Sequence, residues 1–193
     1  MGSDEKNEAQ TTAHSPLVEQ YLLDIALAAD SELPVLDLAC GGGRNGRYLA
    51  HRGLPVCFAD RSEEKLEGIR SEFIAGDKQT SCDFWCVDFE QEDSSPLKQR
   101  CFGAILVFRY LHRPLLSQIA QAMSPGGVLI YETFTRDHAE LGRPRNPDFL
   151  LEPGELAASF SDWELLHQFE GRTQSETGGR EQAIAQLVAR KPN

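Results

Sequence analysis

The residues with the clearest chemical potential lie between Pro34 and Ala50, where Asp37 is followed by Gly41, Gly42, Gly43, Arg44, Asn45 and Gly46. Glycines let a backbone take positive φ and let a ligand come close, while the N–H groups that open the next helix face that ligand. Gly41, Gly43 and Gly46 also stand at G-x-G-x-x-G spacing, the dinucleotide fingerprint. Asp37 argues for a different ligand charge. A carboxylate four residues ahead of the first glycine repels a pyrophosphate and accepts a cation. The plainer alternative is a structural glycine turn without a ligand. Replacing Gly41 or Gly43 by Val is expected to remove ligand binding from a chain that still folds.

Further along, Asp60 ends the next apolar run, where a carboxylate can accept hydrogen bonds from both hydroxyls of a ribose. That position fits an adenosine ligand of either kind, nicotinamide or otherwise. Tyr110 and His112 follow the run 102–108, and His138 comes later; histidine titrates near neutrality and can act as a base, although a lone histidine in a turn is as readily structural. Between 132 and 155 the pattern becomes irregular, and a stretch of that kind inside a compact domain is more often functional than not. Arg136, Arg143 and Arg145 stand there, either as forked donors to an anionic substrate or as partners of Asp137, Asp148 and Glu152. Cys82 and Cys86 lack the second pair that a zinc site needs and read as core thiols.

The elements that must position these groups alternate. Strands are expected at 35–39, 54–60, 81–87, 102–108 and 128–132, with helices at 15–29, 45–50, 62–73 and 114–122 between or before them. Apolar runs without alternation suit parallel strands buried on both faces. A helix at 155–160 precedes two strands, 163–170 and 182–189, joined at Gly178-Gly179; with no crossover helix they form an antiparallel hairpin.

From these residues the chain resembles the Rossmann-like, class I methyltransferases that use S-adenosylmethionine (SAM). Their first motif is an apolar strand running into Asp/Glu-x-Gly-x-Gly-x-Gly, and here it reads Asp37-Leu38-Ala39-Cys40-Gly41-Gly42-Gly43, with Ala39 in the place of the first glycine. The resemblance implies a doubly wound α/β sheet of seven strands in the order 3-2-1-4-5-7-6, the last antiparallel. It implies SAM as cofactor, held by Asp37, Ala39, Gly41, Gly43 and Asn45 of the loop, by Asp60 and Arg61, by Asp88 on the adenine amino group with Phe89 against the ring, and by Arg109. The acceptor side falls to His112 and Tyr110 as catalytic groups and to Arg136, Arg143 and Arg145 as substrate-binding groups. The segments 110–115, 129–134 and 142–151 are similar to a bacterial group loosely labelled as tellurite-resistance type. A catalytically idle SAM binder and, more remotely, a nicotinamide oxidoreductase are the rival functions; the latter needs further βαβ units or a second domain.

Composition narrows the partners. The 193 residues fit one domain, and 19 Lys and Arg against 30 Asp and Glu give a net charge of −11, which opposes attraction to nucleic acid or anionic membrane. Small-molecule substrates are favoured. No apolar run approaches membrane-spanning length and no signal core is present, so the cytoplasm is the expected location. Five cysteines, an odd number at irregular spacing, read as reduced thiols. Residues 1–14 are polar and read as a disordered tail before a domain spanning 15–193. Lys6 occupies the position where a myristoylation signal needs Ser or Thr.

Overall fold

The structure is a computed structural model that describes residues 13–30, 32–74, 81–91, 94–175 and 178–193. Residues 1–12, most of the expected tail, lie outside that set. Ala13 and His14 belong to the expected tail too, yet they are placed against the domain: the Ala13 carbonyl accepts from Arg44, and the His14 ring stacks on Tyr48.

Four strands run parallel from one edge to the middle of the sheet: β1 (Val35–Leu38), β2 (Val56–Asp60), β3 (Cys82–Cys86) at the edge, and β4 (Phe102–Phe108). β5 (Met123–Phe134) joins β4 in parallel, β6 (Glu164–Gln174) forms the far edge, and β7 (Glu181–Arg190) lies antiparallel to both β5 and β6. The resulting order is β3-β2-β1-β4-β5-β7-β6, as the resemblance implies. Every residue of β1 and β2 is buried, because helices cover both faces.

Alternation along the strands divides the core. Leu36, Leu38, Ile105, Val107, Leu129 and Tyr131 face one layer, shared with α5 (Pro114–Ala122) and α7 (Glu155–Ser159). Val35, Phe58, Leu106 and Ile130 face the other, shared with α2 (Leu22–Ala28), α3 (Arg44–Ala50) and α4 (Glu63–Ile74). Burying such apolar side chains stabilises the fold by about 1.5–3 kcal/mol each.

Three elements differ from expectation. The first helix is two, α1 (Pro16–Gln20) and α2, divided at Tyr21, whose hydroxyl donates to the Leu166 carbonyl on β6. In α2 Ile25 is buried and Leu22 and Ala28 pack partly against the core, while Leu27 is 88% exposed. β5 begins at Met123, because the Ser124-Pro125-Gly126-Gly127 turn is absorbed as an irregularity in the ladder. Cys86 is exposed rather than a core thiol, since β3 is an edge strand with one side open.

Candidate active site

The sheet order reverses at β1 and β4, so the loops at their carboxyl ends diverge and open a crevice between them. Both strands end on a left-handed, non-glycine residue: Ala39 at φ 51° and Arg109 at φ 57°. Such backbone costs an L-residue about 1–2 kcal/mol and is held by neighbours. Here those are hydrogen bonds from Cys40 N–H to the Ala59 carbonyl at 3.0 Å and from Arg109 N–H to the Glu132 carbonyl at 2.8 Å.

The glycine loop is tied to acids beneath it. Gly41 N–H donates to Asp60 Oδ2 at 2.8 Å, and Ser62 N–H donates to Asp60 Oδ1 at 2.9 Å. Gly46 N–H, at the start of α3, donates to Asp37 Oδ2 at 2.9 Å. The glycines play different parts. A Cβ on Gly41 or Gly42 would meet nothing within 4 Å, so that surface is open to a ligand. A Cβ on Gly43 would stand 2.7 Å from Ile69 Cδ1, and one on Gly46 would stand 2.4 Å from the Phe58 ring. Gly43 and Gly46 therefore serve the approach of α3 to the sheet.

Asp37 is 4% exposed, and burial pushes its carboxyl up to about 7 from 3.8, against the pull of Gly46 N–H and Arg44. The folded chain thus binds this proton more tightly than the unfolded chain. Its contribution to stability is present at low pH and is lost as pH rises from about 4 toward 7. Asp37→Asn, which keeps an acceptor for Gly46, is expected to remove that slope. Chemical denaturation should show the variant gaining roughly 2–4 kcal/mol on wild type between about pH 4 and about pH 8. A constant difference across that range would place the titration elsewhere.

A cleft of about 600 Å³ opens beside the loop. Asp37, Ala39, Cys40 and Gly42 line one end, Phe108 and Arg109 close the β4 side, and Arg44, Asn45, Arg47, Tyr48, His51 and Arg52 form the α3 wall. Asn45 is buried and its Oδ1 accepts from Ser15 N–H at 2.8 Å, so it anchors the N-terminal segment as well as lining the cleft. Asp60, Arg61, Asp88 and Phe89 lie outside this cleft, at the tips of β2 and β3. Asp88 is exposed and its Oδ1 accepts from Glu90 N–H. Phe89 is buried edge-on to Trp85 as part of the core, so it presents no free face for an adenine ring.

Across Arg109 lies a smaller cavity of about 290 Å³, lined by Glu90, Arg109, Tyr110, Leu111, Thr133, Phe134, Pro144 and Phe149. Arg109 belongs to both. Its guanidinium pairs at 3.0 Å with Glu132, which is 1% exposed, and rests over the Phe134 ring; Gln186 holds the other Glu132 oxygen at 2.6 Å. Burial, with Glu90 and Asp88 nearby, pushes the Tyr110 phenol well above its usual range, so at neutral pH it is a donor and not a base.

The expected acceptor residues are scattered. His112 is half-buried and lines neither cavity, although Tyr110 and Leu111 beside it do. His138 is buried and occupied at both nitrogens: Nδ1 accepts from Ala183 N–H, Nε2 donates to the Arg143 carbonyl, and burial lowers its pKa, so it is structural. Arg136 pairs with Glu152. Arg143 and Arg145 are exposed and line neither cavity, while their loop contributes Pro144 and Phe149 to the smaller one. The arginine that shapes this loop is Arg113: it grips Glu155 at 2.7 and 2.9 Å and donates to the carbonyls of Asp148 and Leu150. Sequence reasoning missed Arg113 and the Arg109–Glu132–Gln186 network, whose partners are distant in the chain. It also missed the α3 wall, which its spacing could have disclosed: Arg44, Arg47, Tyr48, His51 and Arg52 recur at helical i, i+3, i+4, i+7 and i+8.

Among the described residues no cluster of three or more His, Cys, Asp or Glu is placed to hold a metal, and no helix is long and apolar enough to cross a membrane.

This sheet order, with an acid-and-glycine loop after β1 and an acid at the tip of β2, is the class I methyltransferase fold. Residues 35–127 match the family described as methyltransferase domain. It is 27% identical over 106 residues to a ubiquinone biosynthesis O-methyltransferase of Idiomarina loihiensis, covering 53% of this chain and 43% of that protein. It is 29% identical over 136 residues to a glycine N-methyltransferase of Mus musculus, covering 62% of this chain and 43% of that protein. The chain thus spans less than half the length of these curated relatives. Among solved structures, TehB from Haemophilus influenzae superposes with a TM-score of 0.71 at 22% identity, over 94% of this chain and 63% of that one, a likeness of fold.

Proposed function

We propose that this protein transfers the methyl group of SAM to a small molecule held in the cleft beside the glycine loop. The observation that carries this reading is the division of the site. The open backbone at Gly41 and Gly42, with Asp60 and Asp88 at neighbouring strand tips, suits an adenosine moiety. The cleft of about 600 Å³ that starts at the same loop is far larger than an amino-acid tail requires. It has room for an acceptor next to the tail of the cofactor.

SAM, when bound, would supply an electrophilic methyl carbon on a sulfonium, whose bond to sulfur breaks as the bond to the acceptor forms in line, with a neutral thioether as leaving group. The protein's part is to hold and enclose. Asp60 keeps Gly41 in position for the ribose, with lone pairs left over for hydroxyl donors. Phe108 and Arg109 wall the β4 side of the cleft, and Tyr48 and the His14 ring wall the α3 side, which limits water around the reacting atoms.

Calorimetry with SAM, S-adenosylhomocysteine (SAH), NAD and NADP is expected to show binding of the first pair alone. Incubation with methyl-labelled SAM and fractionated cell metabolites is expected to move label into a small-molecule fraction. Absence of SAM binding, or preference for NAD, would refute the proposal; SAM binding without label transfer would leave an idle binder.

A further inference from the structure

The cleft beside the glycine loop carries a charge opposite to that of the whole molecule. In a chain of net charge −11, its lining includes the guanidinium groups of Arg44, Arg47, Arg52 and Arg109 against the carboxyls of Asp37 and Glu72 alone. Some of this charge is answered within the protein. Glu72 is shared by Arg47 and by His51 Nε2 at 2.7 Å, and Arg109 is paired with Glu132. Arg52 is not: among the described residues no carboxylate pairs with it. Its guanidinium carbon stands over the Tyr48 ring, 3.5 Å from the centroid, and the group donates to the Tyr48 carbonyl at 3.1 Å. The His14 ring stacks at 3.5 Å on the same Tyr48 ring, which requires the opposite face. The Arg52 fork is therefore held over the Tyr48 ring at the cleft wall, with further N–H donors beyond the one it uses.

SAM, with a single carboxylate, accounts for only part of this wall. It brings a sulfonium and an ammonium against one carboxylate, so its binding adds positive charge to a cleft already positive. A second ligand of opposite sign would relieve that repulsion, and a concave basic surface raises the local concentration of such a ligand. We infer that the methyl acceptor is a small organic anion whose carboxylate or phosphate is seated on Arg52 and the adjoining basic side chains of α3. The inference rests on the proposed transferase activity for the role of the anion as acceptor, whereas the anion site stands on the geometry of α3. It relocates anion recognition from Arg136, Arg143 and Arg145 to the helix that follows the glycine loop.

The test is calorimetric titration at low salt of benzoate, phenyl phosphate and uncharged benzamide into protein saturated with SAH. The two anions are expected to bind and benzamide is not, with anion affinity falling as salt is added. Arg52→Gln is expected to weaken the anions tenfold or more, Arg52→Lys less, with SAH affinity within twofold of wild type for both. Arg52→Lys keeps the charge, so it serves as the second variant if Arg52→Gln fails to fold by near-ultraviolet circular dichroism. Benzamide binding as tightly as benzoate, no anion binding, or anion binding indifferent to Arg52→Gln would each overturn the inference. Repeating the titration without SAH separates the readings: loss of SAH binding alone would remove the transferase proposal and leave the anion site standing.

Discussion

Gly43→Val is expected to destabilise the fold strongly, while Gly41→Val is expected to leave it folded and unable to bind SAM. Both glycines sit at positive φ, 69° and 56°, and each substitution bears the left-handed penalty of about 1–2 kcal/mol. They part in what the new side chain meets. At Gly43 a Cβ stands 2.7 Å from Ile69 Cδ1 and 3.1 Å from the Phe58 ring, both fully buried, so α3 or the core must shift. Overpacking of that kind adds about 1–3 kcal/mol, and the sum is a large share of the 5–15 kcal/mol that holds an ordinary domain. At Gly41 nothing lies within 4 Å, and a branched side chain would stand where the adenosine moiety is proposed to lie. Thermal melts followed by circular dichroism, beside calorimetry with SAH, read both effects. A folded Gly41→Val that binds SAH normally would move the cofactor off this loop, and a fully stable Gly43→Val would contradict the packing described here.

Asp60→Ala is expected to weaken SAM and SAH by more than tenfold. The carboxylate has two tasks. It fastens Gly41 and Ser62 through their N–H groups, and it keeps lone pairs for the ribose hydroxyls, each such charge-assisted bond being worth about 1.5–3 kcal/mol. Alanine removes both. Hydrogen exchange at the Gly41 amide, compared between wild type and variant without cofactor, reports the tether separately from the contact with ligand. If affinity is unchanged by calorimetry, Asp60 is a loop fastener only and the ribose lies elsewhere.

The alternation of apolar runs with helical stretches was enough to place the strands, because strands buried on both faces have few sequences open to them, while their order followed from the family resemblance. β4 and α5 fall on their expected residues, and the acid-and-glycine loop lies at the expected crossing of strand and helix. The chemistry of that loop was legible for the same reason: positive φ and a close backbone approach leave a trace in residue type. Residue type does not reveal, however, whether a glycine makes room for a ligand or for a neighbouring helix. Gly41 and Gly43 look alike in the chain, and only the position of Ile69 and Phe58 separates them. The arginines went the same way. Arg143 and Arg145 stood out in an irregular stretch and are exposed outside both cavities, while Arg113 clamps that loop through Glu155, which is 42 residues away in the chain. His138 has the makings of a base by type and is saturated by Ala183 and Arg143. Local pattern determines which backbone a segment adopts; the partners of a charged side chain are set by long-range packing, and those partners decide whether it is scaffold or site.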